Sequence, residues 1–583
     1  MRSRITFRPS PFRLWLLATV AGTSIASPAL AGWLATGNPA CTEPHAQNNL
    51  SIVSDEASGA VLTWQDDRFG NIDIFAQRVD STGAKLWTAD GVFVCTQSAF
   101  QNMPSAAVGF NNGATIFWQD ARLTGEFDIY AQRLSATGAP LWALDGVPLS
   151  TASHNQGRPV AISDGAAGGI NPHGYIATWL EGSAGDQAIV VQHVNESGTG
   201  LWTSAAIGGI RLAIALSNAS HPRLVTDNTG TLQGSKGAVV VWPDERTVGN
   251  AHDIFARRVD NAGTPQWMAN GVPVCDHVGE QQNPDLVHIG NGSVIVVWDD
   301  SRTPDRDIYA QMLDVTGSSQ WADNGLPVCQ SSGAQSAPRI VNDGALGAIV
   351  VWTDDRSVDS KVYAQRIDVN GQRLWDPNGI PVCSASGTQT FPAITSDGAG
   401  GAIVAWTDRR NGDADIYAQR IDANGNLLWG PTGSPMGVVA SSNQLSCLVA
   451  SDGKLGALVA WGDLRTGTSD IYINRAFASY GNVDVPLDAA VATRLVFVSS
   501  HPASGAILMR LDLSAPAEVE MAVLDAAGRR VQSGGRTEML DSGSHLLTWD
   551  GRDDAGSAVR PGVYFARVRA GATTLVKRIV EVR

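Results

Sequence analysis

The chain is poor in charge and poorer still in lysine. Only 17% of its 583 residues are charged, and just five are Lys: Lys85, Lys236, Lys361, Lys454 and Lys577. That is too apolar a composition for a disordered chain. The formal net charge is −15 and there is no basic block, so nucleic acid is set aside as a partner. Past the N-terminus no stretch reaches the roughly 18 apolar residues of a membrane-spanning helix. There is no His-Glu-x-x-His pair, no Gly-x-Ser-x-Gly elbow and no phosphate loop. What the chain has in quantity is 62 Gly and 27 Pro, which punctuate it too often for a mainly helical protein.

Arg2, Arg4, Arg8 and Arg13 precede a short apolar run at 14–25, and Ser27-Pro-Ala29-Leu-Ala31 ends in an Ala-x-Ala pattern. This reads as a signal peptide over residues 1–31, so the mature chain is expected to be exported, to the cell surface or beyond it.

The middle of the chain is one motif repeated eight times. Trp64, Trp118, Trp179, Trp242, Trp298, Trp352, Trp406 and Trp461 recur at spacings of 54, 61, 63, 56, 54, 54 and 55. A clear copy runs Pro392-Ala-Ile-Thr-Ser-Asp397-Gly, Gly401-Ala-Ile-Val-Ala-Trp406-Thr-Asp408-Arg-Arg410, then Asp415-Ile-Tyr-Ala-Gln-Arg420. Each copy holds four short β-type runs separated by Asp-Gly, Asn-Gly and Asp/Arg turns. Four strands in about 54 residues is the period of a propeller blade.

A second series, Trp87, Trp142, Trp202, Trp267, Trp321, Trp375 and Trp429, ends the fourth run of copies one to seven. Copy eight lacks it, while Trp33, Gly37 and Cys41 reproduce the spacing of Trp321, Gly325 and Cys329. Segment 33–41 is therefore expected to pair with 470–475 and close the ring. The expected fold is all-β: an eight-bladed β-propeller over 32–478 closed by an N-terminal strand, a linker at 479–491 and a C-terminal Ig-like β-sandwich over 492–583. The Trp residues read as inter-blade core rather than a ligand-stacking surface. Each removes about 150–250 Å² from water, worth at most about 4–6 kcal/mol.

The last 90 or so residues carry Trp549-Asp550-Gly551 and Pro561-Gly562-Val-Tyr564-Phe565. They resemble the Ig-like domain of flagellar hook-capping proteins and the related sorting domains of type IX secretion substrates. That resemblance implies a sorting or anchoring module that engages secretion machinery, not chemistry. The repeats themselves resemble uncharacterised Asp-Ile-Tyr-Ala-Gln-Arg repeats of exported bacterial proteins, to which no activity attaches.

The recurrent polar set is Trp-x-Asp-x-Arg: Asp66/Arg68, Asp120/Arg122, Asp244/Arg246, Asp300/Arg302, Asp354/Arg356, Asp408/Arg410 and Asp463/Arg465. Copy three breaks it with Glu181 and Ser183. Seven copies fit a structural device better than one active site. Such a device repeats with the fold, so Arg68, Arg246 and Arg410 are expected to behave alike. A calcium site per blade is the alternative, opposed by the Arg in every cluster; a ligand rim is the other. No cofactor or metal site is expected beyond that calcium option. Of the six Cys, Cys41, Cys95, Cys275, Cys329 and Cys383 share one repeat position, where other copies have Ser150 or Gly437, and Cys447 sits in a first run. They read as buried fillers, with disulfides or metal ligation as alternatives. Copies three and four each carry six extra residues between first and second runs. There His173, Tyr175 and Lys236 are expected to edge a recognition patch on one face, against neutral loop drift as the simpler reading.

These features point to non-catalytic binding of a glycan or protein outside the cell. The rivals are a carbohydrate-active hydrolase or lyase with carboxylates in the central channel, and a purely structural surface component.

Overall fold

The computed structural model describes residues 32–477 and 494–581, apart from 110–111, 124, 166–173, 184–185, 203–207, 217, 229–236, 247–250, 498–506, 514–516, 541–542 and 572. Residues 1–31 and 479–491, read above as signal peptide and linker, lie outside the described residues. The described elements are all strands, and no helix among the described residues is long and apolar enough to cross a membrane.

Each repeat forms one four-stranded antiparallel sheet, and residues 38–476 form eight of them. Sheet seven shows the logic. Its inner strand is Gln389–Ser396, followed by Ala402–Asp408, Asp415–Ile421 and the outer strand Ser434–Gly437. The second strand is buried at every position. Neighbouring sheets cover both of its faces, so its sequence is a continuous apolar run rather than an alternation. Asp397 closes the first hairpin, its Oδ1 accepting from the N–H groups of Ala399 and Gly401 at 2.8 Å each. Gly433 has a positive φ of 71°, and a Cβ there would lie 2.6 Å from the Trp406 ring. Only glycine fits both demands.

Consecutive sheets pack face to face, and each pair shares a hydrophobic core. The circuit closes: Ala40 and Cys41 join Leu458, Ile471 and Ile473 of sheet eight in one core with Leu62, Trp64 and Phe75 of sheet one. Asn38–Cys41 is the outer strand of sheet eight, with Asn38 opposite Ile473, Pro39 opposite Tyr472 and Cys41 opposite Ile471. Gly37 packs on Trp461 as Gly325 packs on Trp298. Trp33 stands outside the ladder, and its indole donates to the Ser81 carbonyl in sheet one at 3.0 Å. A sheet completed from both chain ends leaves no exposed edge between first and last repeats.

The inner strands of successive sheets touch one another all the way round. They pair with only one partner strand each, so their free edges face a common axis.

The C-terminal region folds into a three-stranded sheet (Arg494–Phe497, Ile507–Leu513, Gly543–Trp549) and a four-stranded sheet (Arg530–Leu540, Ala517–Asp525, Gly562–Ala570, Thr573–Glu581). The two share one core in which Trp549 lies 5.3 Å from Tyr564, ring centre to ring centre. The Tyr564 hydroxyl donates to the Arg560 carbonyl at 2.7 Å, which anchors the turn before its strand.

Candidate functional site

The Trp-x-Asp-x-Arg set builds a clasp in every sheet that keeps it. In sheet seven Asp408 is fully buried. Its Oδ2 accepts from the Trp406 indole at 2.8 Å and from Arg410 Nη2 at 2.6 Å. Its Oδ1 accepts from the Arg410 backbone N–H and Nε at 2.9 and 2.8 Å. The guanidinium lies 3.7 Å over the Tyr417 ring and donates to the Cys383 sulfur of sheet six at 3.2 Å. Asp66/Arg68, Asp120/Arg122, Asp244/Arg246, Asp300/Arg302, Asp354/Arg356 and Asp463/Arg465 form the same ion pair at 2.5–2.6 Å. Among the described residues no three His, Cys, Asp or Glu converge as metal ligands.

All six Cys are free and buried. The five at the shared position have a use that spacing alone does not reveal: Cys41, Cys95, Cys275, Cys329 and Cys383 each accept from the clasp Arg of the next sheet, at 3.0–3.2 Å. Burial pushes the Cys41 thiol up to about 12, so it stays protonated and inert.

The expectation that Arg68, Arg246 and Arg410 behave alike is corrected at Arg246, and Arg465 departs in the same way. Both keep the aspartate and the aromatic face, Arg246 lying 3.8 Å over Phe255 and Arg465 3.8 Å over Tyr472. Neither reaches a sulfur, because the preceding sheets supply none at that register. In sheet three Ala213 stands opposite Ile189 as Cys275 stands opposite Ile254 in sheet four. In sheet seven Gly437 stands opposite Ile416, and a Cβ there would lie 2.4 Å from the Trp461 ring, so no cysteine fits. Both keep the backbone carbonyl that Arg68, Arg122, Arg302 and Arg356 also use: Arg246 Nη1 donates to the Asn270 carbonyl at 2.5 Å and Arg465 Nη2 to the Thr36 carbonyl at 2.8 Å. The Arg246 side chain is also the most open of the seven, 24% exposed against 10–18% for the rest. At Arg465 this bond ties the ring closure, since Thr36 precedes the strand that completes its own sheet from the other end of the chain.

Sheet three departs from the reading that it loses the pair outright. Arg211, from its outer strand Ile210–Leu216, takes Glu181 with two hydrogen bonds of 2.9 and 3.2 Å.

A second clasp, not assigned from sequence, sits at the opposite end of the sheets. Arg78–Asp55, Arg258–Asp227, Arg366–Asp343, Arg420–Asp397 and Arg475–Asp452 are paired at 2.7–2.8 Å. In sheet three His193 takes the role toward Asp164 at 3.0 Å. Arg475 also donates to the Ser81 carbonyl across the ring closure. The signal was present as an Asp at the first hairpin and an Arg near the end of the third strand, 23 positions apart in four of the pairs and 31 in Asp227–Arg258.

The inner strands behave differently. Each has one non-glycine residue in the left-handed region at the same register: Asn49, Met103, Arg158, His221, Asn283, Ala337, Phe391 and Ser446, with φ of 42–57°. In seven of the eight sheets it marks a bulge where the register slips. Such bulges re-aim a side chain and carry backbone strain. Neighbouring left-handed residues meet: the Asn49 amide reaches the Met103 sulfur at 3.8 Å, and Arg158 Nη1 donates to the His221 ring. Phe391 is 67% exposed and Met103 39%.

Charge on these strands is confined to four consecutive sheets. Arg158 lies on Gln156–Ser163, Arg223 on Arg223–Thr226, Asp285 and His288 on Gln281–Gly290, and Arg339 on Gln335–Asn342. The inner strands of sheets seven, eight, one and two carry none. Asp285 accepts from the Ile340 N–H at 3.3 Å. The Arg339 guanidinium donates to the Pro338 carbonyl. Arg223 makes no hydrogen bond or ion pair with any described residue. Burial lowers its pKa, Asp285 opposes that and Arg339 adds to it. The His221 ring reaches solvent yet is enclosed enough that burial lowers its pKa, with Arg158, Arg223 and Arg339 adding to the shift. It therefore accepts from Arg158 as a neutral imidazole.

Of the residues expected to edge a recognition patch, His173 and Lys236 lie outside the described residues. Tyr175 is corrected: it is 0% exposed and packs edge-on to Phe117 of sheet two, ring centres 6.3 Å apart. It falls within the second strand of sheet three, Gly174–Ser183, where side chains face neighbouring sheets. The stems of both long hairpins, Ser163 opposite Tyr175 and Thr226 opposite Ala238, lie at the end of the sheets away from the Trp-x-Asp-x-Arg clasps.

Residues 499–573 match the family model described as FlgD Ig-like domain, so the C-terminal resemblance drawn from Trp549-Asp550-Gly551 has an independent counterpart. No curated protein matches the chain. Among solved structures the chain is similar to a PL25 ulvan lyase (10% identity over 67% of this chain and 96% of that one, TM-score 0.40). It is also similar to PorZ, a surface component of the type IX secretion system of Porphyromonas gingivalis (11%, 93% and 82%, TM-score 0.26). A third is an endo-arabinase from Bacteroides thetaiotaomicron (16%, 42% and 92%, TM-score 0.26).

Proposed function

We propose that the chain is an exported, non-catalytic binding protein: an eight-bladed β-propeller over 32–478 that presents a ligand-binding mouth, joined through 479–491 to an Ig-like module over 492–583 that serves sorting or anchoring. The carrying observation is a contrast of repetition. The clasps repeat with the fold, whereas the left-handed residue at the inner strand changes chemistry from sheet to sheet, from Asn49 to Met103, Arg158, His221 and Phe391. Varied side chains held at one register of a rigid ring are what recognition needs. The Arg-led apolar segment at 1–31 supports export. A glycan array probed with the mature protein, with and without calcium, tests the reading. Binding that is unchanged by calcium and leaves the glycans intact supports it. Shortened glycans would favour the hydrolase or lyase, and a blank array together with unimpaired surface assembly would favour the structural component.

A further inference from the structure

The ring is thrifty with its arginines. The clasp residues are held by carboxylates at 2.5–2.8 Å on nearly every sheet. On the inner strands of sheets three, four and six the rule fails. Arg158 is partnered by the His221 imidazole and Arg339 by a backbone carbonyl, and neither has a carboxylate within 4 Å among the described residues. Arg223 has no partner among the described residues. An enclosed guanidinium without an anion is unfavourable, and a chain of net charge −15 has carboxylates to spare. The only acidic side chain on these inner strands is Asp285, set between Arg223 and Arg339 in ring order.

Across the ring the chemistry changes. Phe391, four sheets on from Arg158, offers an open aromatic face, and the inner strands on that side are uncharged. A cationic arc facing an exposed aromatic matches a ligand with oxyanions and an apolar C–H face, which is an acidic sugar chain. An extended peptide fits less well. Pro159, Pro222, Pro338 and Pro392 follow the bulge residues and remove the N–H groups that a paired strand would use.

We propose that the mouth of the ring binds an acidic polysaccharide, its carboxylate or sulfate groups taken by Arg223 with Arg158 and Arg339, and its sugar faces by Phe391. This rests on the binding reading above and names its ligand class.

The test is calorimetric titration of the full chain with polygalacturonate, dextran sulfate, uncharged dextran and poly-L-glutamate. At least one acidic polysaccharide binds, and which one does so distinguishes carboxylate from sulfate. Dextran does not bind, and poly-L-glutamate binds at least about tenfold more weakly. Arg223→Gln weakens binding by about 10–100-fold while leaving the thermal midpoint unchanged. Arg373→Gln, at an exposed arginine whose guanidinium donates to the Pro377 carbonyl, changes nothing. The proposal is overturned if neither acidic polysaccharide binds, if poly-L-glutamate binds as tightly, or if binding survives both Arg223→Gln and Arg339→Gln. If a bound polysaccharide is shortened, the site stands and the non-catalytic reading falls.

Discussion

The outer clasps and the inner ring use the same residue type to opposite ends. In the clasps an arginine meets a buried aspartate and an aromatic face. Five of the seven add a neighbouring sheet's sulfur, with geometry that repeats within a few tenths of an ångström, while Arg246 and Arg465 lack the sulfur and keep the backbone carbonyl that four of the others share. Such an arrangement satisfies the guanidinium charge locally and leaves little for a ligand. In the inner ring the arginines of sheets three, four and six lack carboxylates, and sheets seven, eight, one and two supply no charge at all. Repetition marks what holds the ring together, and the proposed recognition rests on the departures from it.

The largest effect belongs to the closure. Deleting residues 32–41 removes the outer strand of sheet eight and the Ala40–Cys41 part of its core with sheet one. It also takes away the Thr36 carbonyl that Arg465 uses. We expect the thermal midpoint to fall further than for any single substitution, and calorimetry to show a broadened transition. Next is a clasp: Asp408→Ala leaves Arg410 enclosed without its anion and the Trp406 indole without its acceptor. A loss of about 3–5 kcal/mol in denaturant unfolding is expected. Asp120→Ala should match it, and Asp244→Ala should cost less, because Arg246 is the more open partner and can turn to water. A tenfold smaller loss at Asp408 would mean that the clasps are ornaments of the surface.

A smaller effect, of opposite sign, comes from the aspartate that opens the third strand. Burial is the main cause that raises Asp73 to about 6, with Asp66 and Asp145 adding to it against the Asn71 hydrogen bond. The folded protein thus holds that proton more tightly than the unfolded chain. Stability from this group is present at low pH and is lost as pH rises through about 6. Asp73→Asn should accordingly stabilise at pH 7.5 and have no effect near pH 4, as unfolding midpoints at the two pH values will show. The smallest effect is on the inner ring itself. Arg223→Gln should shift stability by no more than about 0.5 kcal/mol, because no described residue loses a bond.

Much of this organisation was legible in the sequence because it repeats. The Trp and Gly spacings located the sheets, and the match of Gly37 and Cys41 to Gly325 and Cys329 located the strand that completes sheet eight. The seven Asp/Arg pairs announced themselves by number. Their number also hid a difference: Arg246 and Arg465 keep the motif, but what they touch is set by the sheet before them, where Ala213 and Gly437 replace cysteine. The inner ring was not legible, for two physical reasons. Its members share a backbone conformation rather than a residue type, so Met103, Arg158 and Phe391 have nothing in common until φ is known. Its contacts also join residues far apart in sequence, as with Arg158 and His221, 63 positions apart. Tyr175 misled for a related reason. The run from Gly165 to Tyr175 looked like an inserted loop, yet its last two residues, Gly174 and Tyr175, belong to the strand.

Hydrogen–deuterium exchange with a bound acidic polysaccharide tests the central claim most directly, because it separates the two ends of the ring. Protection is expected on the inner strands of sheets three to six, at Gln156–Ser163, Arg223–Thr226, Gln281–Gly290 and Gln335–Asn342. Protection confined to residues 165–173 and 228–236, or spread evenly over all eight sheets, would contradict it.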